Sequence, residues 1–145
     1  MMLWNVYLRE GLVLMPTMAK TDAGFFIEVE PVSVVRSDKL EDIARALKAN
    51  IQRGNPLIET PSRDNFPKPV VLPYAKVKTW STFEKKVQCW KILWDGSEYQ
   101  LKPQRRASTR GLEDVPGELS SFGGVAGLDQ LVNSLIERID KFAEQ

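Results

Sequence analysis

The chain of 145 residues contains no histidine and one cysteine, Cys89, so no internal disulfide and no metal site built from imidazole and thiolate can staple it. Its fold must rest on buried apolar surface. A hydrophobic fraction of 43% beside 27% charged residues supplies that surface and is ordinary for a globular chain. Residues 1–145 suit a single domain, and a chain of this length buries about two-thirds of its unfolded surface in one core. The same two absences restrict chemistry. Without imidazole there is no Ser-His-Asp or Cys-His nucleophile pair and no histidine general base. Cys89 stands in an apolar-aromatic stretch without an activating neighbour and reads as a buried, reduced thiol.

Twenty basic residues oppose nineteen acidic ones, so the field of the whole molecule cannot gather nucleic acid or an anionic membrane, and either role needs a local patch. The apolar start, Met1 to Met18, is cut by Asn5, Arg9, Glu10 and Pro16, which argues against a signal peptide. No run approaches the roughly twenty apolar residues of a membrane-spanning helix. A soluble, cytoplasmic protein is expected.

Two apolar runs, Leu3–Leu8 and Leu12–Met15, flank Arg9-Glu10-Gly11, which predicts a hairpin with Gly11 at positive φ. Phe25 to Val35 alternates as a strand, and Pro31, which has no N–H to donate, places it at a sheet edge or divides it. A helix is predicted over about 38–53. Ser37 or Asp38 would cap it, Leu40, Ile43, Ala44, Leu47 and Ile51 form its apolar stripe, and Gly54 ends it. Residues 55–73 carry five prolines and predict a long, semi-rigid loop, with Pro69–Tyr74 feeding a short strand.

Asp95-Gly96 predicts a two-residue hairpin turn in which Trp94 opposes Ser97, Ile92 opposes Tyr99 and Trp90 opposes Leu101. One face then carries Trp90, Ile92, Trp94, Tyr99 and Leu101, to be covered by helices. Residues 103–124 lack a clear pattern and predict a second long loop. A final amphipathic helix over about 128–143 presents Leu128, Leu131, Val132, Leu135, Ile139 and Phe142. These elements give an α+β fold, a single domain of mainly antiparallel β-sheet, about five to seven strands, flanked by two amphipathic helices.

Three kinds of surface carry functional signals. The long loops predict protein contacts through Glu59, Arg63, Asp64, Asn65 and Phe66, followed by Arg105 and Arg106. The lysines Lys76, Lys78, Lys85 and Lys86 around Trp80, with Arg105, Arg106 and Arg110 further on, form the one stretch suited to phosphate contacts and base stacking. No helix-turn-helix or RNA-binding signature accompanies it. Carboxylates alone can support hydrolysis, and Glu28, Glu30, Glu59 and Asp64 are the candidates, although Glu28 and Glu30 equally suit the polar face of an edge strand. The glycines from Gly123 to Gly127 match neither a dinucleotide fingerprint nor a P-loop.

The sequence therefore points to a non-enzymatic protein-binding module, a small inhibitor or immunity-type protein that neutralises a partner toxin or enzyme. A nucleic-acid-binding accessory protein is the alternative, and a carboxylate-dependent hydrolase or transferase is the third reading. No catalytic residue, metal or cofactor is assigned.

Overall fold

The first hairpin turns at Glu10 and Gly11, both at positive φ (47° and 80°), the geometry whose twist matches two antiparallel strands. It joins β1 (Met2–Arg9) to β2 (Leu12–Thr21), and β3 (Phe26–Arg36), α1 (Leu40–Arg53) and β4 (Leu57–Ile58) follow. A 3₁₀ turn (Arg63–Asn65) and α2 (Trp80–Glu84) lead into β5 (Val87–Trp94) and β6 (Glu98–Arg106), then β7 (Leu112–Asp114), β8 (Ser120–Gly123) and α3 (Gly127–Ala143). The computed structural model describes residues 1–109 and 111–143; Arg110 lies outside them.

One eight-stranded sheet runs β3-β2-β1-β5-β6-β7, with β4 added parallel to β2 and β8 antiparallel to β6. The architecture is α+β, as the sequence predicts. β3 forms one edge, which accommodates Pro31, and the register slips between Pro16 and Thr17 of β2 where β3 bends past it. Asn50, the polar residue on the buried side of α1, donates to the Pro16 carbonyl at 3.0 Å at this irregularity.

The helices α1 and α3 cover one face. Trp4, Val6, Trp90, Ile92 and Leu101 from the sheet meet Ile43, Leu47, Leu131, Leu135 and Ile139, each large side chain contributing about 1.5–3 kcal/mol by its burial. Trp94 and Tyr99 pack at the margin of this core, so the aromatic hairpin face is largely core. The opposite face carries Tyr7, Leu14 and Cys89 and is covered by Val71, Leu72 and Phe83 from the segment leading into β5.

The structure departs from the sequence reading in four places. α1 starts at Leu40 with no side-chain cap, because Asp38 accepts instead from Arg36 at 2.7 Å. Asp95 Oδ1 accepts from the Ser97 and Glu98 N–H groups, at 2.8 and 2.9 Å, and widens the predicted two-residue turn. Trp94 therefore pairs with Tyr99 and Ile92 with Leu101, a shift of two residues that leaves every side chain on its expected face. Residues 70–76 form turns rather than a strand. Finally, the stretch 103–124 is partly sheet: β6 continues to Arg106, and β7 and β8 both pair along it.

Candidate functional site

The proline-rich loop is tied down where it begins. Leu57 and Ile58 pair with Lys20 and Thr21, the Lys20 N–H donates to the Pro56 carbonyl at 2.8 Å, and the Asp22 N–H donates to the Ile58 carbonyl at 3.1 Å. Thr60 donates its hydroxyl and its N–H to the Asp22 carboxylate. Those two bonds hold the Asp22 carboxyl below its usual range, the hydroxyl contributing most. Beyond this clasp the chain runs exposed from Ser62 to Pro69 and sets the Phe66 ring on Phe25, with centroids 6.5 Å apart and planes 24° from parallel. Phe25 is 41% and Phe66 55% exposed, so two stacked rings face solvent, Phe66 from a stretch stiffened by Pro61, Pro67 and Pro69 and Phe25 from the end of the β2–β3 turn.

Beside this pair lies a cleft of about 300 Å³ lined by Phe26, Ile27, Glu28, Phe66, Pro67, Lys68, Pro69 and Trp80. Thr79 caps α2 by accepting from the Thr82 N–H at 3.2 Å, and Trp80 packs on Phe83 (4.9 Å) and edge-on to Tyr7 (6.1 Å). The Tyr7 hydroxyl donates to Glu28 Oε2 at 2.5 Å and Asn5 Nδ2 donates to the same oxygen at 3.0 Å. Burial pushes the Glu28 carboxyl above its ordinary value while these two donors pull it down. Tyr7 is raised well above the usual phenol range by burial first and by the Glu28 charge second. Cys89, buried on the same face, is raised by burial, which keeps it a thiol.

Glu59, Arg63, Asp64, Asn65 and Phe66 share the exposed loop beside β2 and β3. Arg105 and Arg106 do not join them. They stand on β6, with β1 and β5 between, Arg105 pairing with Glu113 at 3.1 Å and Arg106 facing the buried Glu84 at 3.7 Å. Arg105 instead borders a larger cleft of about 570 Å³, where Arg138 donates to Ser120 Oγ at 2.8 Å. Lys76, Lys78, Lys85 and Lys86 are exposed along the segment over the second sheet face, Lys86 pairing with Glu10 at 3.3 Å. Trp80 is half-buried among them.

The carboxylates do not converge. Glu28 engages Tyr7 and Asn5, Glu30 accepts from the Tyr74 hydroxyl at 2.7 Å, and Glu59 and Asp64 are exposed on the loop. Among the described residues no three acidic or thiol side chains gather in a metal-binding arrangement. No described helix is long and apolar enough to cross a membrane. Sequence reasoning missed Phe25 as a loop partner and missed Asn5 and Tyr7 as partners of Glu28. Phe25 follows a turn as an exposed aromatic, a signal open to reading; the Glu28 contacts depend on the register of three strands.

No family model matches the chain, and no curated protein matches it in sequence. Solved structures share its fold. A Neisseria meningitidis protein of unknown function, NMB0488, superposes with a TM-score of 0.65 at 9% identity, over 91% of this chain and 89% of that one. A chain of the CdiA-CT/CdiI toxin and immunity complex from Yersinia pseudotuberculosis superposes with a TM-score of 0.62 at 10% identity, over 95% of this chain and 94% of that one.

Proposed function

We propose that this chain is a protein-binding inhibitor of the immunity type, which neutralises a partner toxin or enzyme by occupying its surface. The observation that carries the reading is the stacked, solvent-facing pair formed by Phe66, on a proline-stiffened loop clasped to β2, and Phe25, at the end of the β2–β3 turn. Aromatic side chains give large contact area for little lost rotamer freedom, and a loop already ordered in the free protein loses less entropy on docking. Glu59, Arg63, Asp64 and Asn65 are exposed on the same loop as Phe66 and supply the polar rim of the contact in this reading. The end-to-end likeness to a chain of a toxin and immunity complex supports the same reading. Arg105 and Arg106, on β6 with β1 and β5 intervening and facing carboxylates, are a secondary contact.

The nucleic-acid alternative has less support. Trp80 packs on Phe83 and Tyr7, Lys86 is paired with Glu10, and the near-neutral chain offers little to draw in phosphate.

Co-expression tests the proposal. Each open reading frame adjacent to this chain's gene is expressed alone and together with the chain: one product is expected to arrest growth alone, growth to resume when the chain is present, and the two proteins to co-purify in equal amounts. Continued growth arrest with folded chain present, and no complex at micromolar concentration, contradicts it.

A further inference from the structure

We propose that the cleft between Phe26, Phe66 and Trp80 receives one basic side chain of the protein partner, arginine or lysine, whose charge meets the Glu28 carboxylate. This rests on the protein-binding reading and names what the loop surface recognises.

Two features of the cleft select a cation. Its walls present three aromatic rings, whose faces attract ammonium and guanidinium groups. Lys20 Nζ lies 5.9 Å from the centroid of one of them, Phe26, so that ring already carries one cation and the visiting group is left the rings of Phe66 and Trp80. The second feature is Glu28, which lines the cleft and spends only Oε2 on Tyr7 and Asn5; Oε1 takes no donor from the described residues. The two internal bonds fix the carboxylate in one orientation, so a visiting cation finds an acceptor already placed. Arginine suits this setting in both respects, because its guanidinium stacks on rings and forks onto a carboxylate. Lys68 stands exposed on the wall and opposes a second positive charge. That makes a sharp expectation: removing Lys68 strengthens the binding of a cation, and removing the Glu28 charge weakens it.

The test titrates the isotope-labelled chain with Nα-acetyl-arginine amide and with its neutral isostere Nα-acetyl-citrulline amide. Saturable shifts are expected at the Trp80 indole N–H and at the amides of Phe26, Glu28 and Phe66, with a Kd of about 1–10 mM for arginine and at least about fivefold weaker binding of citrulline. Glu28→Gln is expected to lower arginine affinity about fivefold or more and Lys68→Ala to raise it. Phe66→Ala leaves the Tyr7–Glu28 bond intact and is expected to weaken both probes, which keeps the test available if Glu28→Gln fails to fold. Equal affinity for arginine and citrulline, or no saturable shift up to about 100 mM, overturns the proposal. Since no partner protein enters the titration, its failure leaves the inhibitor reading standing, and failure of co-expression rescue leaves the cleft assignment standing.

Discussion

The Tyr7 hydroxyl of β1 donates to the Glu28 carboxylate of β3 at 2.5 Å, reaching past β2 to tie the edge strand to the middle of the sheet. Neither residue could be buried cheaply alone. Glu28 needs donors to remain a carboxylate away from water, and Tyr7 needs an acceptor for its hydroxyl. Tyr7→Phe deletes the shorter of the two donors to Glu28 Oε2 and is expected to destabilise the protein by about 1.5–3 kcal/mol, the range for a hydrogen bond to a charged group. The shift in the urea unfolding midpoint, at unchanged slope, measures it.

Titration of the same face sets the alkaline limit of stability. Tyr7 and Cys89 both hold their protons more tightly folded than unfolded, where their ordinary values are 10.0 and 9.0. Their contribution is therefore complete below those values and is lost as pH rises past them, because the unfolded chain then releases protons that the native state retains. The unfolding midpoint is expected to fall between about pH 8 and pH 11, and the double substitution Tyr7→Phe, Cys89→Ser to flatten that fall. A midpoint independent of pH over this range in the parent protein contradicts the burial assigned to both groups.

Cys89 reactivity reports the same burial kinetically. An aromatic disulfide reagent at neutral pH is expected to modify the thiol only as fast as the protein opens, so the rate saturates with reagent concentration and rises with denaturant. Immediate stoichiometric modification of the folded protein places the thiol at the surface instead.

Asn55 bridges β1 and β2 where they separate. Its Nδ2 donates to the Leu3 carbonyl at 2.8 Å and the Met18 carbonyl at 3.0 Å, and its Oδ1 accepts from the Leu3 N–H at 3.1 Å. Asn55→Ala leaves these backbone groups short of partners and is expected to cost about 2–4 kcal/mol, whereas Asn55→Asp, which keeps the acceptor and loses both donations, costs at least as much. Hydrogen exchange at the Leu3 amide locates the damage.

How far the sequence reached depends on the range of each interaction. Periodicity located α1 and α3 because Ile43, Leu47, Leu131, Leu135 and Ile139 recur at helical spacing, and all are buried. Asp95-Gly96 marked the hairpin, but its register turned on hydrogen bonds that Asp95 accepts from the Ser97 and Glu98 N–H groups and that a two-residue turn does not include. β7 and β8, reading Leu-Glu-Asp and Ser-Ser-Phe-Gly, carry too little alternation to announce strands; their pairing with β6 makes them so. At the candidate site, loop composition alone indicated Phe66, while the aromatic cleft required Phe26, Phe66 and Trp80 to be brought together from distant positions. Glu28 was visible as a carboxylate, and its partners Asn5 and Tyr7 were not, since they lie 23 and 21 residues away across two strand pairings.

The proposed function stands or falls on the clasped aromatic loop as a protein-docking surface. The decisive measurement is isothermal titration of this chain against the growth-arresting protein it rescues in co-expression, with the Phe25→Ala, Phe66→Ala double variant run in parallel. One-to-one binding is expected at a nanomolar-range Kd of about 1–100 nM, weakened at least about a hundredfold in the variant, whose unfolding midpoint stays close to that of the parent because neither ring belongs to a buried core cluster. Equal affinity of the variant and the parent would contradict it.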